Sequence, residues 1–197
     1  GWDIGGAHTK YTISKNNSLK FNSKITPLKI WESLEPLEKI INNIHNKYYK
    51  SHNIINAISM SAEMCDIFIN RKEGIHKILS LFNKKLFINY IYTYKDGIKI
   101  LNNNFNHKDI ASMNWHIIAS YLRLVRKNLI AIDLGSTTTD IILIRNYKCI
   151  NKRIDDYSGL STSELLYTGI LRTPIFSILK QVRINNKYYN LIPEYYA

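Results

Sequence analysis

Apolar and polar positions alternate in short runs at the start of the chain and again past its middle. Gly1 to Ile4 reads as a short strand, Gly5 to His8 as a turn and Thr9 to Ser14 as a second strand, with Tyr11 and Ile13 alternating against polar neighbours. Asn16-Asn17-Ser18 marks a turn, and Leu19 to Ile30 offers a third strand broken near Pro27. The period then lengthens. Leu34, Leu37, Ile40, Ile41, Ile44 and Tyr48 hold helical spacing behind Ser33 as N-cap, which predicts a helix to about Tyr49. Ile54 to Met60 is nearly all apolar, as a central buried strand would be. Lys72 to Phe82 has helical spacing through Ile75, Ile78, Leu79 and Phe82. Leu86 to Tyr92 reads as a strand, Lys95-Asp96-Gly97 as a turn and Ile98 to Leu101 as a short strand. A helix is predicted from about Asp109 to Arg126.

The strongest local pattern follows. Leu129 to Ile144 is an apolar strand entering Asp133, a polar turn, and an apolar strand leaving Asp140. Tyr147 to Ile154 is its predicted hairpin partner. A helix is predicted from Ser161 or Thr162 with Glu164 as capping residue, then a strand from Pro174 to Ile184 before a turn at Asn185-Asn186. The order is a β-meander, then helix, strand, helix, strand, helix, then a second meander. Residues 1–127 are expected to form one α/β unit and 128–197 the start of another.

Composition changes this picture little. The net charge of +12 raises nucleic-acid binding as a question. Its lysines are scattered rather than striped, and Ile, Asn, Lys and Tyr are overused together. All four have AT-rich codons, so mutational bias accounts for the charge without a nucleic-acid partner. Apolar runs are far too short for a membrane span, and the opening residues are expected to form a strand rather than a leader. Cys65 and Cys149 form no CxxC pattern, which fits buried thiols in a reducing cytoplasm.

The polar turns carry the chemistry. Gly135 permits a tight turn, and Ser136, Thr137, Thr138 and Thr139 with nearby N–H groups can surround an anion. Asp133 and Asp140 offer carboxylates suited to Mg²⁺ through its waters. The N-terminal Asp3-Ile4-Gly5-Gly6-Ala7-His8-Thr9-Lys10 repeats the device, and an offset of 130 residues takes one Asp-x-Gly to the other. Glu63 and Asp66 directly follow a strand, where α/β sheets gather ligands. A further polar knot, Thr168-Gly169-Ile170-Leu171-Arg172-Thr173-Pro174, holds an arginine suited to phosphate. Each has a plain alternative: threonines that suit a hairpin, acids that suit a helix start, an arginine on a surface turn.

Paired Asp-x-Gly hairpins resemble the actin, Hsp70 and sugar-kinase fold, in which two ribonuclease-H-like halves grip phosphates. The finer match lies in the two turns, in Glu63-Met64-Cys65-Asp66-Ile67-Phe68, in Asn114-Trp115 and in Tyr167 to Pro174. These resemble hydantoinase/oxoprolinase-like proteins, and within them the tetrahydromethanopterin-linked C1-transfer group that serves methanofuran biosynthesis. The resemblance implies an α/β fold of two such halves with the second incomplete at Pro193 to Ala197. An unfinished sheet predicts association with a partner.

It also implies a transferase that couples a furanylmethyl diphosphate to a phenol and releases diphosphate. Asp3 and Asp133 would hold Mg²⁺. Gly5, Gly6, Thr9, Gly135, Ser136, Thr137 and Thr138 would cradle the small-molecule diphosphate or nucleotide, with Lys10 or Arg172 adding charge and Glu63 or Asp66 as base. Two alternatives stand beside it: an ATP-dependent amide hydrolase of the hydantoinase/oxoprolinase kind using the same loops, and a non-catalytic remnant.

Overall fold

The computed structural model describes residues 1–15, 18, 20–48, 53–83, 87–102 and 105–192. The expected turn at Asn16-Asn17, Leu19, the helix end at Tyr49, the strand start at Leu86 and the terminal Pro193 to Ala197 lie outside them. The chain divides into two compact units, Gly1–Ile118 and Ala119–Ala197. The division falls inside a helix, earlier than the 127/128 boundary read from the sequence.

The first unit is a mixed α/β layer structure. Its strands are β1 (Trp2–Ile4), β2 (His8–Ser14), β3 (Phe21–Pro27), β4 (Ile55–Met60), β5 (Ile88–Thr93) and β6 (Gly97–Ile100), in the spatial order β3-β2-β1-β4-β5-β6. β1 pairs antiparallel with β2 and parallel with β4, and β4 pairs parallel with β5. Helices α1 (Glu35–Tyr48) and α2 (Arg71–Ser80) connect them. Ser33, expected as the N-cap, lies one residue before that position: the helix begins at Glu35, and the Ser33 hydroxyl accepts the Glu35 N–H at 3.1 Å. Trp2, Ile4, Ile58, Met60 and Ile91 form one core with Leu37 and Ile41 of α1 and Ile75, Ile78 and Leu79 of α2.

That core contains an amide chain. Asn56 accepts from the Trp2 indole at 3.0 Å and donates to Asn89 at 2.8 Å, and Asn89 donates to the Phe82 carbonyl at 2.9 Å. It ties β1, β4 and β5 together below their apolar contacts. β4 is therefore central but not wholly apolar in its burial. Ile55 and Ala57 point to the other face and stay exposed, as do Ile88, Ile98 and Ile100.

Helix α3 (Asn114–Val125) begins later than its apolar spacing predicts. Residues 107–109 form a separate 3-10 turn, and Ser112 has φ 51°, a left-handed conformation no α-helix contains. The helical path restarts only after it.

In the second unit, β7 (Leu129–Leu134) and β8 (Thr139–Arg145) form the expected hairpin. β9 (Lys148–Cys149) and β10 (Leu165–Leu166) pair with opposite ends of β8. The third strand is far shorter than Tyr147 to Ile154. Asn151 takes over its bonds: the side-chain carbonyl accepts Leu143 N–H at 2.8 Å and the amide donates to Ile141 at 2.7 Å. The predicted helix lies earlier, as α4 (Asp156–Ser161), because Asp155 and Ser158 form a reciprocal capping box. Pro174 to Ile184 is not one strand. Ile175–Ser177 forms a 3-10 turn, then β11 (Gln181–Ile184) and β12 (Lys187–Asn190) form a hairpin around Asn185 and Asn186, both at positive φ.

β1 is paired on both sides, but β7 is paired only with β8 among the described residues. Ile130, Ile132 and Leu134 on it are 68%, 62% and 57% exposed. None of the helices is long and apolar enough to cross a membrane among the described residues.

Candidate functional site

Each Asp-x-Gly turn closes with the same bond. The Gly5 N–H donates to the His8 carbonyl at 3.0 Å, and the Gly135 N–H donates to the Thr138 carbonyl at 2.8 Å. A Cβ on Gly5 would stand 3.0 Å from His8 O, and one on Gly135 would stand 2.9 Å from Thr138 O. Both turns are therefore too tight for a side chain at that place. The offset of 130 residues read in the sequence holds at the level of one hydrogen bond.

In the first unit the turn meets the end of β4. The Ser61 N–H donates to the Ile4 carbonyl at 2.9 Å, continuing the β1–β4 ladder by one residue. A Cβ on Gly6 would lie 2.9 Å from the Cys65 sulfur. Gly5, Gly6, Ser61 and Cys65 thus share the carboxyl end of two parallel strands, where such sheets bind ligands. Asp3 and Lys10 are directly opposed across β1 and β2 and form an ion pair at 3.1 Å. Thr9, from the same stretch, is fully buried, and its hydroxyl has no hydrogen-bond partner among the described residues. It faces the core rather than solvent.

The two acids after β4 part company. Asp66 is exposed. Glu63 is 1% exposed, and one of its carboxylate oxygens accepts from both the Ser112 N–H at 2.8 Å and the Ser112 hydroxyl at 3.0 Å. Glu63 holds the left-handed Ser112 in place at the entrance to α3. A carboxylate committed there is poorly disposed to leave as a base.

In the second unit the structure brings two motifs together. The Gly135–Thr138 turn lies against Thr168 to Thr173. Ile170 N–H donates to Gly135 O at 3.0 Å, and the N–H groups of Leu171 and Arg172 both donate to Ser136 O, at 3.1 and 2.9 Å. A Cβ on Gly169 would come within 2.4 Å of Ser136 O and Thr137 N, so only glycine lets the backbones touch. Thr139 seals the contact by donating to Thr168 O at 2.6 Å. Ser136, Thr137 and Thr138 remain part-exposed, and Arg172 is exposed beside them.

Asp140 has another occupation. Its carboxylate is buried and paired with Arg153, which is itself 2% exposed and also reaches Asp156 at 3.3 Å. Burial pushes the Asp140 carboxyl above its ordinary range, against the opposing pull of Arg153, and nearby Asp133 adds to the rise. Asp140 is thus spent on a guanidinium, which leaves Asp133 as the carboxylate of this turn. The first turn offers Asp3, whose pairing with Lys10 is solvent-exposed rather than buried. Mg²⁺ is suited to such a donor set, because it takes one or two carboxylates and completes its shell with waters and substrate phosphate oxygens.

Three contributors carried no separate signal in the sequence. Arg153 sits among Lys152, Asp155 and Asp156 and reads as a solvated charge run. Ser112 gives no hint of its positive φ. Glu164, expected to cap a helix, instead accepts the N–H groups of Lys152 and Arg153 at 2.9 and 2.8 Å and so places the guanidinium.

Residues 55–197 match the hydantoinase/oxoprolinase family. The whole chain aligns at 30% identity over 206 residues with the (4-{4-[2-(gamma-L-glutamylamino)ethyl]phenoxymethyl}furan-2-yl)methanamine synthase of Methanocaldococcus jannaschii, covering 58% of that protein. A protein of the same name from Methanococcus vannielii is 40% identical over 73 residues, which is 37% of this chain and 32% of that one. The chain therefore spans less than two thirds of the length of the relatives it matches.

Proposed function

The chain belongs to the hydantoinase/oxoprolinase family, and from that premise we propose that it binds a diphosphate-bearing small molecule and serves a methanofuran-type cofactor synthesis as an aryl-ether-forming transferase. The observation that carries the reading is the repeated turn, in which Gly5 and Gly135 close the same hydrogen bond beside hydroxyl or N–H donors. The product in the relatives' name holds an ether between a phenol and a furanylmethyl carbon. Such an ether forms when the phenol oxygen attacks the methylene carbon as its bond to the diphosphate oxygen breaks. Diphosphate leaves with the electron pair, and a base takes the phenol proton.

The residues divide the work. Ser136, Thr137 and Thr138 would receive diphosphate oxygens, with Arg172 adding positive charge. In the first unit Gly5, Gly6 and Lys10 would serve an anion in the same manner. Asp66 is the accessible base candidate, and Glu63 positions Ser112 instead. Asp3 and Asp133 would each hold Mg²⁺, which when bound offsets charge on the departing diphosphate. For the first unit we further propose a ribonuclease-H-like half. Among β3-β2-β1-β4-β5, only β2 runs against the other four, which is the order that fold requires.

The test is diphosphate release. The purified chain is incubated with a furanylmethyl diphosphate, a tyramine-type phenol and Mg²⁺, and followed by phosphorus NMR. Phenol-dependent diphosphate release that Asp133→Ala abolishes supports the reading. ATP turnover stimulated by a cyclic amide would replace it with the amide-hydrolase chemistry, which uses the same turns. Absence of diphosphate and ATP binding by calorimetry would mark a non-catalytic chain.

A further inference from the structure

His76 lies on α2, and His107 opens the 3-10 turn that precedes α3. Their Nε2 atoms lie 2.8 Å apart, at hydrogen-bond distance, with ring centroids 4.7 Å apart. The ring of Phe105 flanks both, with centroids 5.8 Å from His76 and 5.3 Å from His107. Neither residue belongs to the glycine turns or their neighbours described above.

Two nitrogens so placed leave room for one proton between them, not two. The neutral ring has a lone pair on one nitrogen, and neutral imidazole is the metal-binding form. Imidazole nitrogens bind divalent transition metals at about 2.0–2.1 Å. Two of them at a right angle on one ion then stand about 2.9 Å apart, and at a tetrahedral angle about 3.4 Å apart. The observed separation fits the right-angle arrangement, which is the preference of Cu²⁺ and Ni²⁺ in nitrogen and oxygen sites.

We propose that His76 and His107 form a two-imidazole site for a divalent transition metal of tetragonal preference, Cu²⁺ or Ni²⁺, with solvent completing the shell. No group of three or more His, Cys, Asp or Glu side chains poised for a metal occurs among the described residues, so the site is an open, two-ligand one. A bound ion fastens α2 to the turn that leads to Ser112. It therefore stiffens the segment that Glu63 holds.

The experiment uses the untagged chain, stripped of metal by chelator, with Cu²⁺ and Ni²⁺ as the probes. Electron paramagnetic resonance of the stoichiometric Cu²⁺ complex should count two imidazole nitrogens, and one in either His76→Asn or His107→Asn. Calorimetry should give one equivalent of Ni²⁺, weakened at least tenfold by each variant. Unchanged nitrogen counts in both variants would overturn the proposal, as would the lack of a stoichiometric Cu²⁺ complex in the parent chain. The parent-chain nitrogen count stands even where a variant folds poorly.

Discussion

Asp140 and Lys10 hold the same place in their hairpins, each directly across the strand pair from the aspartate that opens the turn. One carries the opposite charge of the other. In the first hairpin Lys10 pairs with Asp3 itself, near solvent. In the second, two carboxylates would face each other, and Arg153 enters to take one of them. A duplicated turn has thus been balanced by a local pair in one unit and by a buried arginine in the other.

Arg153→Met should therefore destabilise the chain by about 3–5 kcal/mol, because it leaves the buried Asp140 without its cation. Asp140→Leu in the same chain should recover much of that loss. Urea denaturation of the two variants checks it. A double variant no more stable than the single one would contradict the buried pair as the cause.

Gly169→Ala should cost about 1–3 kcal/mol through overpacking, since the new methyl meets the Ser136–Thr137 backbone. It should also weaken diphosphate binding, because Ser136 O is the acceptor that fixes the two loops together. Calorimetry with inorganic diphosphate reads the second effect separately from stability. Normal affinity in a well-folded variant would mean that the loop contact does not shape the anion site.

Asn56→Ala removes the partner of both the Trp2 indole and the Asn89 carbonyl. Each buried group left unsatisfied costs about 1–3 kcal/mol. Thermal melts should show a loss larger than for Ala57→Gly on the exposed face of the same strand. The Trp2 fluorescence should shift as its indole loses its acceptor.

The Lys77 ammonium, and after it the Ile69 N–H, hold the Glu73 carboxyl below its ordinary range. A lowered folded-state value stabilises the protein above about pH 4.5. That contribution is lost as pH falls through the lowered value. Glu73→Gln should thus lower the melting temperature at pH 7, with the gap closing in acid. A gap independent of pH would assign the effect to packing.

The alternation and helical spacing made most of the first unit legible. β1, β2, β4, β5 and both early helices fall close to where apolar period places them. The failures share a cause: side chains that replace backbone bonds. Asn151 ends a strand, Ser158 with Asp155 starts a helix six residues early, and Ser112 delays one by its positive φ. At the candidate site, the turns were readable because glycine spacing is a local signal. The burial of Thr9 and Glu63, and the commitment of Asp140 to Arg153, depend on residues distant in sequence and leave no local mark.

The open side of β7 has a practical corollary. Leu129 to Ile132 is an uninterrupted aliphatic run without proline or lysine, and its outer hydrogen-bonding groups have no strand beside them among the described residues. Bare borders of this kind template further strands. In concentrated solution the purified chain should seed its own fibrils from this border. A single lysine at Ile130, whose side chain already faces water, should act as a gatekeeper and lengthen the lag before thioflavin signal rises.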